Sequence, residues 1–458
     1  MKKQDQILSA VFLLIMSAAG IYWAVANTSW TLAGTTAAAA CFGIFVWLGV
    51  RTIPVLTAYI AGADPADKLP EGHAAGTRER TWLTIILWML GTRALLFLIA
   101  YGLMVIHNGS AGSLLATVRE TWHLTGIDTQ SYLGIAEHGY VTEGDSRFHI
   151  VFLPLFPKLI QFVQLFTGDY LSAGFAVSNL CAIAAALVAY ELALLDMTRK
   201  DALRVVKYIF IFPSAFFFVI PMTESLFLVL SLMSIYFVRR HKWLLACLCA
   251  ALAGYTRSPG ILLAVPIAVE MARVLAVSYR QTTRREWTRK AAIAVACLAV
   301  APLGLLAYLY VNYAVTGNPF QFSIYQREHW FQRMYLFWDT ARYQTDYVVK
   351  AFREGDSRSL LGLWLPNVLM IVSTLLLICR SARKLHPSYT AYFIVYFAYV
   401  VGPTWLLSAP RYFAVAFPLA FAAVLVTKDR AKDAALTVIY LIGGLLYLAL
   451  FVWGYPIY

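Results

Sequence analysis

Apolar runs of roughly 20 residues, the length an α-helix needs to cross a bilayer, recur along almost the whole chain. Windows near 7–27, 30–50, 82–106, 171–195, 205–220, 223–238, 243–256, 259–277, 291–314, 360–379, 389–407, 411–427 and 434–454 all read as such helices. That is about thirteen on hydropathy. No polar block between them is long enough to fold as a separate water-soluble domain. Of 458 residues, 60% are hydrophobic and 13% charged, against about 45–50% and about 25% in soluble domains. An all-α polytopic membrane protein embedded in a lipid bilayer is therefore expected.

The net charge is +13, but its distribution argues for topology rather than for nucleic acid. Basic residues gather in short clusters between apolar runs: Lys2-Lys3, Arg78 with Arg80, Arg199-Lys200 with Arg204, Arg239-Arg240 with Lys242, Arg284-Arg285 with Arg289-Lys290, Arg380 with Arg383-Lys384, and Lys428 with Arg430 and Lys432. With the amino terminus in the cytoplasm, every cluster falls on the cytoplasmic side, as the positive-inside rule requires. No basic face is large enough to track a phosphate backbone. Residues 107–170 and 315–359 then become two long external segments, and the carboxyl terminus lies outside. The loop 52–81, with "AGADPADKLPEGHAAGTRER", reads as a cytoplasmic hinge. The expected division is 1–81, two extra amino-terminal helices and a linker, and 82–458, the core. The first apolar run exceeds the usual 7–15 residues of a signal-peptide core and is expected to stay as a helix. All six cysteines lie inside apolar runs, so no disulfide framework is implied.

Several windows are short. Those at 205–220, 223–238 and 243–256 are interrupted by Pro213, Pro221 and Pro259, and proline ends or kinks a helix. Broken helices at membrane depth are tolerated where protein or a water-filled cavity surrounds them, and their outer ends are expected to border an external cavity. "FLPLFPKLIQFVQLF" (Phe152–Phe166) reads as a helix lying in or dipping into the interface. No internal repeat stands out.

"GIDTQSYLGIAEHGY", Gly126 to Tyr140, is unusually polar for this chain. Asp128 precedes a helix over "TQSYLGIAEHG", which Gly139 is expected to end. Its carboxylate suits an N-cap or a general base at the membrane surface; the two roles are compatible.

The stretch "DTQSYLGIAEHGY" followed by "FLPLFP" resembles the PIG-V mannosyltransferase family of glycosylphosphatidylinositol assembly and its bacterial relatives. That family typically reads W-D-x-x-x-[YF]-L-x-I-A-x-x-G-Y, then F-F-P-[LGY]-[FY]-P. Asp128, Tyr132, Ile135, Ala136, Gly139, Tyr140, Pro154, Phe156 and Pro157 match; Ile127 stands where the family has Trp, and Leu153 where it has a second Phe. Thr223-Glu224-Ser225-Leu226-Phe227 and Thr256-Arg257-Ser258-Pro259-Gly260 are similar to its second block. "GNPFQFSIYQREHWFQR" and "SAPRYFAVAFPLAF" are similar to its third and fourth. The likeness runs from about Trp82 to Phe421.

The resemblance implies a GT-C fold and an inverting transfer of mannose from a polyprenyl-phosphate donor to a glycolipid or glycan hydroxyl, with Asp128 as the base. The donor is a substrate, and no cofactor is implied. The leaving group is a phosphate, so no general acid is needed, unlike the glycosidic oxygen of a glycosidase; cations or hydrogen-bond donors suffice. Candidate phosphate-binding residues are Arg257 and Arg411 at external helix ends, and Arg333, His149 and Lys158 in the long loops. Candidate sugar- or acceptor-binding residues are Glu224, Tyr132, His138, Tyr140, Gln326 and Trp330. Glu224 sits at the Pro221 break and is expected either to pair with Arg257 or Arg411 or to bind acceptor hydroxyls. Gln326, Trp330 and Arg333 have the spacing of one helical face. The aromatics from Phe322 to Trp338 suit an interfacial belt or stacking on sugars. Arg93, inside an apolar run, is expected to form an ion pair. No external His-x-x-x-His or Asp-x-Asp spacing predicts a divalent metal. Rival readings are a GT-C transferase for another lipid-linked sugar and a lipid or solute transporter, which places its essential charges nearer the midplane.

Overall fold

Apolar runs that cannot expose their backbone to lipid must close their hydrogen bonds within the segment, and the chain does so with helices. The computed structural model describes residues 3–28, 30–63, 75–109, 112–117, 119, 128–403 and 406–458. The middle of the expected hinge, 64–74, and Ile127 beside Asp128 lie outside the described residues. Among the described residues there is no β-strand ladder, only an isolated bridge between Met334 and Pro403. Eight helices among the described residues are long and apolar enough to span a membrane: Asp5–Ala26, Leu32–Ile60, Arg78–Asn108, Tyr170–Ala193, Ser258–Tyr279, Arg284–Thr316, Ser357–Ser381 and Arg430–Val452. The expected all-helical, polytopic architecture is the one observed.

The windows 205–220, 223–238, 243–256, 389–407 and 411–427 do not reach that length. Their helices are Arg199–Phe210, Glu224–Arg239, Trp243–Thr256, Pro387–Val400, and the pair Ala409–Ala414 and Pro418–Val426. Proline accounts for much of this: Pro213 and Pro221 follow the first, Pro259 follows the third, and Pro418 separates the last two. Phe227, Leu228, Leu232 and Ile235 of Glu224–Arg239 are fully buried, whereas Ile15 and Leu446 on spanning helices are 61% and 60% exposed. Short helices thus build the interior and several long ones the outer wall. Apolar side chains facing outward cost about 25 cal/mol per Å² in water and nothing comparable in lipid.

Tyr170–Ala193 packs on Glu224–Arg239, and its Ala182, Ala185, Ala186 and Ala189 are all fully buried. Small residues let such helices approach closely. A Cβ added at Gly174 would stand 2.7 Å from Pro221 Cβ, so this helix rests directly on the proline break. Leu32–Ile60 lies along Phe337–Glu354, with the Phe45 and Phe337 rings 4.4 Å apart. It also reaches Glu270, which accepts from Tyr59 Oη at 2.8 Å. Trp23 Nε1 of the first helix donates to Asp339 at 2.9 Å.

Between Phe210 and Glu224 the backbone is irregular and enclosed by protein: Phe217, Phe218, Ile220 and Met222 are fully buried. Buried carbonyls and amides need partners, and side chains supply them. Asn179 Nδ2 donates to Val219 O at 2.9 Å, and Ser225 Oγ to Phe218 O at 2.8 Å. Thr129 Oγ1 donates to Pro221 O at 3.3 Å.

A 3-10 turn, Asp145–Val151, and the helix Leu155–Thr167 meet at a bend of 109°. That helix buries Phe156 and Ile160 and exposes Phe162, Leu165 and Phe166, the one-sided pattern of an interfacial segment. Its loop docks on the second long segment: Phe148 stacks on His329 at 3.8 Å and meets Tyr325 edge-on at 5.0 Å.

Candidate active site

Three proline-marked turns and one helix start converge on a single ionic chain. Asp128 occupies the N-cap position of Thr129–His138, yet its side chain makes no capping bond. Its Oδ2 instead accepts from Arg411 Nη1 at 2.7 Å. Arg411 Nε donates to Glu224 Oε1. Arg257 Nη1 donates to that same oxygen and to Thr223 Oγ1, the latter at 2.9 Å. The order is Asp128–Arg411–Glu224–Arg257, two carboxylates and two guanidiniums.

Burial is graded along it. The Asp128 side chain is 34% exposed, Arg411 7%, Arg257 8% and Glu224 not at all. A buried carboxylate costs several kcal/mol unless paired; sharing one oxygen between two guanidiniums meets that need. Glu224 Oε2 has no partner among the described residues. Asp128 Oδ1, Arg411 Nη2, and Arg257 Nε and Nη2 also make no hydrogen bond among them.

Local sequence explains the placement. Helix Trp243–Thr256 ends at Arg257, which is extended (φ −149°) and leads into the 3-10 turn Ser258–Leu263, with Pro259 in its first positions. Arg411 lies in the short helix Ala409–Ala414, with Pro410 in its first turn. Proline in a first turn forfeits no intrahelical bond. Asn367 anchors that turn, accepting from Ala409 N at 2.9 Å and donating to Leu406 O at 2.7 Å. Ser214 Oγ donates to Pro410 O at 2.6 Å, tying it to the break that carries Glu224. Arg257 lies over the Tyr412 ring at 4.9 Å, and Arg411 over Phe217 at 5.7 Å; such cation–π contacts favour desolvated guanidiniums.

Of the candidates named from sequence, Asp128, Glu224, Arg257 and Arg411 are in direct contact. Tyr132 is buried beside them with its ring against Phe152 and Phe156. Burial, with the Asp128 charge behind it, holds its phenol above the ordinary value. His149, Lys158, His138, Tyr140, Gln326 and Trp330 make no hydrogen bond or ion pair with these four among the described residues, and Arg333 is exposed on the second long loop. His149 is half-buried with its ring near Phe152, and Lys158 is exposed. His138 is exposed at the end of its helix, 3.7 Å from Glu137, and Gly139 (φ 74°) ends that helix as expected. Tyr140 Oη donates to Phe152 O at 2.6 Å, so its hydroxyl pins the loop.

Gln326, Trp330 and Arg333 do not share a helical face. The helix Gln321–Glu328 stops before Trp330, and Phe331 adopts φ 55°, which no helix accommodates. Trp330 packs instead on His329 and Phe148, while Phe337 and Trp338 are buried against Phe45 and Phe42. Arg93 forms no ion pair among the described residues. It donates to Met89 O at 3.1 Å and lies over Phe210 at 5.4 Å, so a carbonyl and a ring replace the expected acid.

Thr223, Tyr412, Asn367 and Ser214 complete the site, and no sequence signal singled out the last three. Among the described residues no three His, Cys, Asp or Glu side chains group as metal ligands.

No protein-family model and no curated protein matches the chain. Among solved structures, it is similar to the archaeal oligosaccharyltransferase AglB from Archaeoglobus fulgidus, a complex with an inhibitory peptide and a dolichol-phosphate. The identity is 12% and the TM-score 0.42, over 80% of this chain and 56% of that one. This chain thus spans little more than half the length of that protein.

Proposed function

We propose that the chain is a membrane glycosyltransferase of the GT-C kind, moving a mannosyl residue from a polyprenyl-phosphate donor to a glycolipid or glycan hydroxyl with inversion. The observation that carries this reading is the half-open acid: Asp128 is part exposed, held by Arg411 through one oxygen, and backed by buried Glu224 and Arg257. Support also comes from the motif blocks. Asp128, Thr223-Glu224, Arg257 and Arg411 belong to separate stretches that each resemble the same family, and they meet here.

In this reading the acceptor hydroxyl gives its proton to Asp128 as its oxygen attacks the anomeric carbon. The bond from that carbon to the phosphate oxygen breaks, and polyprenyl phosphate leaves as an anion. A general base of this kind contributes about 10²–10⁴-fold. The unused guanidinium nitrogens of Arg411 and Arg257 answer the negative charge that grows on the phosphate. Glu224, enclosed behind both, is a positioning residue rather than a contact to acceptor. The basic helix ends are assigned to the cytoplasm and the Asp128 end to the external face.

Purified protein incubated with labelled polyprenyl phosphate mannose is expected to release polyprenyl phosphate, slowly by hydrolysis and faster with the correct acceptor. Release from a polyprenyl phosphate carrying another sugar, and none from the mannosyl donor, would correct the sugar. No turnover with any lipid-phosphate sugar would sink the enzyme assignment. For orientation, a cysteine at exposed His138 is expected to react with an impermeant maleimide added outside intact cells; labelling only after lysis reverses the assignment.

A further inference from the structure

A second cationic recess lies away from the Asp128 chain, beside the ends of two helices. It is a groove of about 680 Å³ whose lining includes Trp47, Arg51, Leu376, Arg380, Lys384 and Leu425. Among the described residues the lining contains no carboxylate. Arg51, Arg380 and Lys384 form no ion pair among the described residues, although other arginines, such as Arg204 and Arg239, do. Arg51 Nε is buried without a hydrogen-bond partner among the described residues, and its guanidinium lies 4.6 Å over the Trp47 ring. These cations lack the anion that would neutralise them.

Depth identifies the class of anion that these cations suit. Arg51 is 19 residues along from Leu32 in one spanning helix, about 28 Å at 1.5 Å per residue. That is close to the ~30 Å hydrocarbon thickness. Arg380 lies in the last turn of the Ser357–Ser381 span, and Leu425 in the last turn of Pro418–Val426. The charges therefore stand at headgroup level, and Leu376 and Leu425 offer apolar walls toward the hydrocarbon.

We infer that this groove binds the phosphate headgroup of an anionic phospholipid, with the acyl chains against Leu376 and Leu425. The apolar walls select a lipid over free phosphate. Arg51 lies on one helix, Arg380 in the last turn of another and Lys384 just beyond it, so the lipid bridges them. The site is independent of the proposed glycosyl transfer.

The test is thermal unfolding of the full chain in detergent, titrated with phosphatidylglycerol, phosphatidylcholine or inorganic phosphate. Phosphatidylglycerol is expected to raise the midpoint at far lower concentration than phosphatidylcholine. In the triple variant Arg51→Gln, Arg380→Gln, Lys384→Gln the half-maximal concentration should rise about a hundredfold, at the ~fivefold that each basic residue contributes near an anionic surface. Lys384→Gln alone, at an exposed side chain, should raise it several-fold and keeps the test alive if the triple variant does not fold. Arg284→Gln with Arg285→Gln and Arg289→Gln should leave the response unchanged. Equal stabilisation by both lipids, full stabilisation by inorganic phosphate, or an equal loss in the Arg284 set would overturn the inference.

Discussion

The two ends of the helix Glu224–Arg239, about 22 Å apart at 1.5 Å per residue, carry acids and arginines arranged to opposite effect. At the Arg239 end the guanidinium grips both oxygens of Asp196, at 2.8 and 2.9 Å, and Nη1 also donates to Tyr389 Oη at 2.9 Å. Tyr389 Oη in turn donates to Asp196 at 3.0 Å, closing the ring of bonds. At the Glu224 end one oxygen serves two guanidiniums, its twin has no partner among the described residues, and the adjoining Asp128 faces partly outward. The first arrangement spends its hydrogen-bonding capacity on itself and holds elements together. The second leaves an acid and several donors unspent, as a site for incoming oxygen atoms requires. The same residue types therefore read as scaffold or as chemistry according to what they leave unsatisfied.

Glu224→Gln should break the contrast most severely. It strands two buried guanidiniums, and removing one partner of a buried pair costs about 3–5 kcal/mol. Thermal unfolding in detergent checks this, and a variant as stable as the parent would show that the shared carboxylate is not needed to hold the arginines. Asp196→Asn should cost less, about 1.5–3 kcal/mol for a hydrogen bond to a charged group, while transfer activity persists. Burial pushes the Asp196 carboxyl up, but the Arg239 hydrogen bonds and charge outweigh it and hold the group below the usual carboxylate range. A depressed acid stabilises the fold above its unfolded pKa of about 3.9 and loses that contribution as pH falls through the folded value. Acidification below about pH 4 should therefore destabilise the parent more than Asp196→Asn; an unchanged difference would sharpen the comparison against this end. Tyr140→Phe should cost least, about 0.5–1.5 kcal/mol for one neutral hydrogen bond. Turnover should stay within a few-fold of the parent, since its hydroxyl serves the Phe152 carbonyl. A large loss of turnover would restore Tyr140 to the site.

Much of the molecule was legible in its sequence where physics acts over one helix. Eight apolar windows became spans, because length and hydropathy are local quantities. The shorter windows did not, and Pro213, Pro221, Pro259 and Pro418 mark several of their breaks. Glu224, Arg257 and Arg411 were legible because charges near Pro221, Pro259 and Pro410 in an apolar chain demand an explanation, and Asp128 because it opens an unusually polar stretch with a recognisable motif. That Glu224 pairs with both arginines was not, since neither alternative has a sequence signal. Asn367, Ser214 and Tyr412 are ordinary residue types whose roles exist only through contacts far apart in the chain, such as Ser214 with Pro410. The end of the Gln321–Glu328 helix was also hidden: Phe331 turns the chain at φ 55° without glycine or proline.

The central claim is that Asp128 takes the acceptor's proton. It is tested most directly by turnover and donor affinity measured together for the parent and Asp128→Asn, an isosteric change at a part-exposed side chain. The account predicts turnover lower by about 10²–10⁴-fold with donor affinity within a few-fold of the parent. Full turnover in Asp128→Asn, or a loss of activity explained entirely by weaker donor binding, would contradict it.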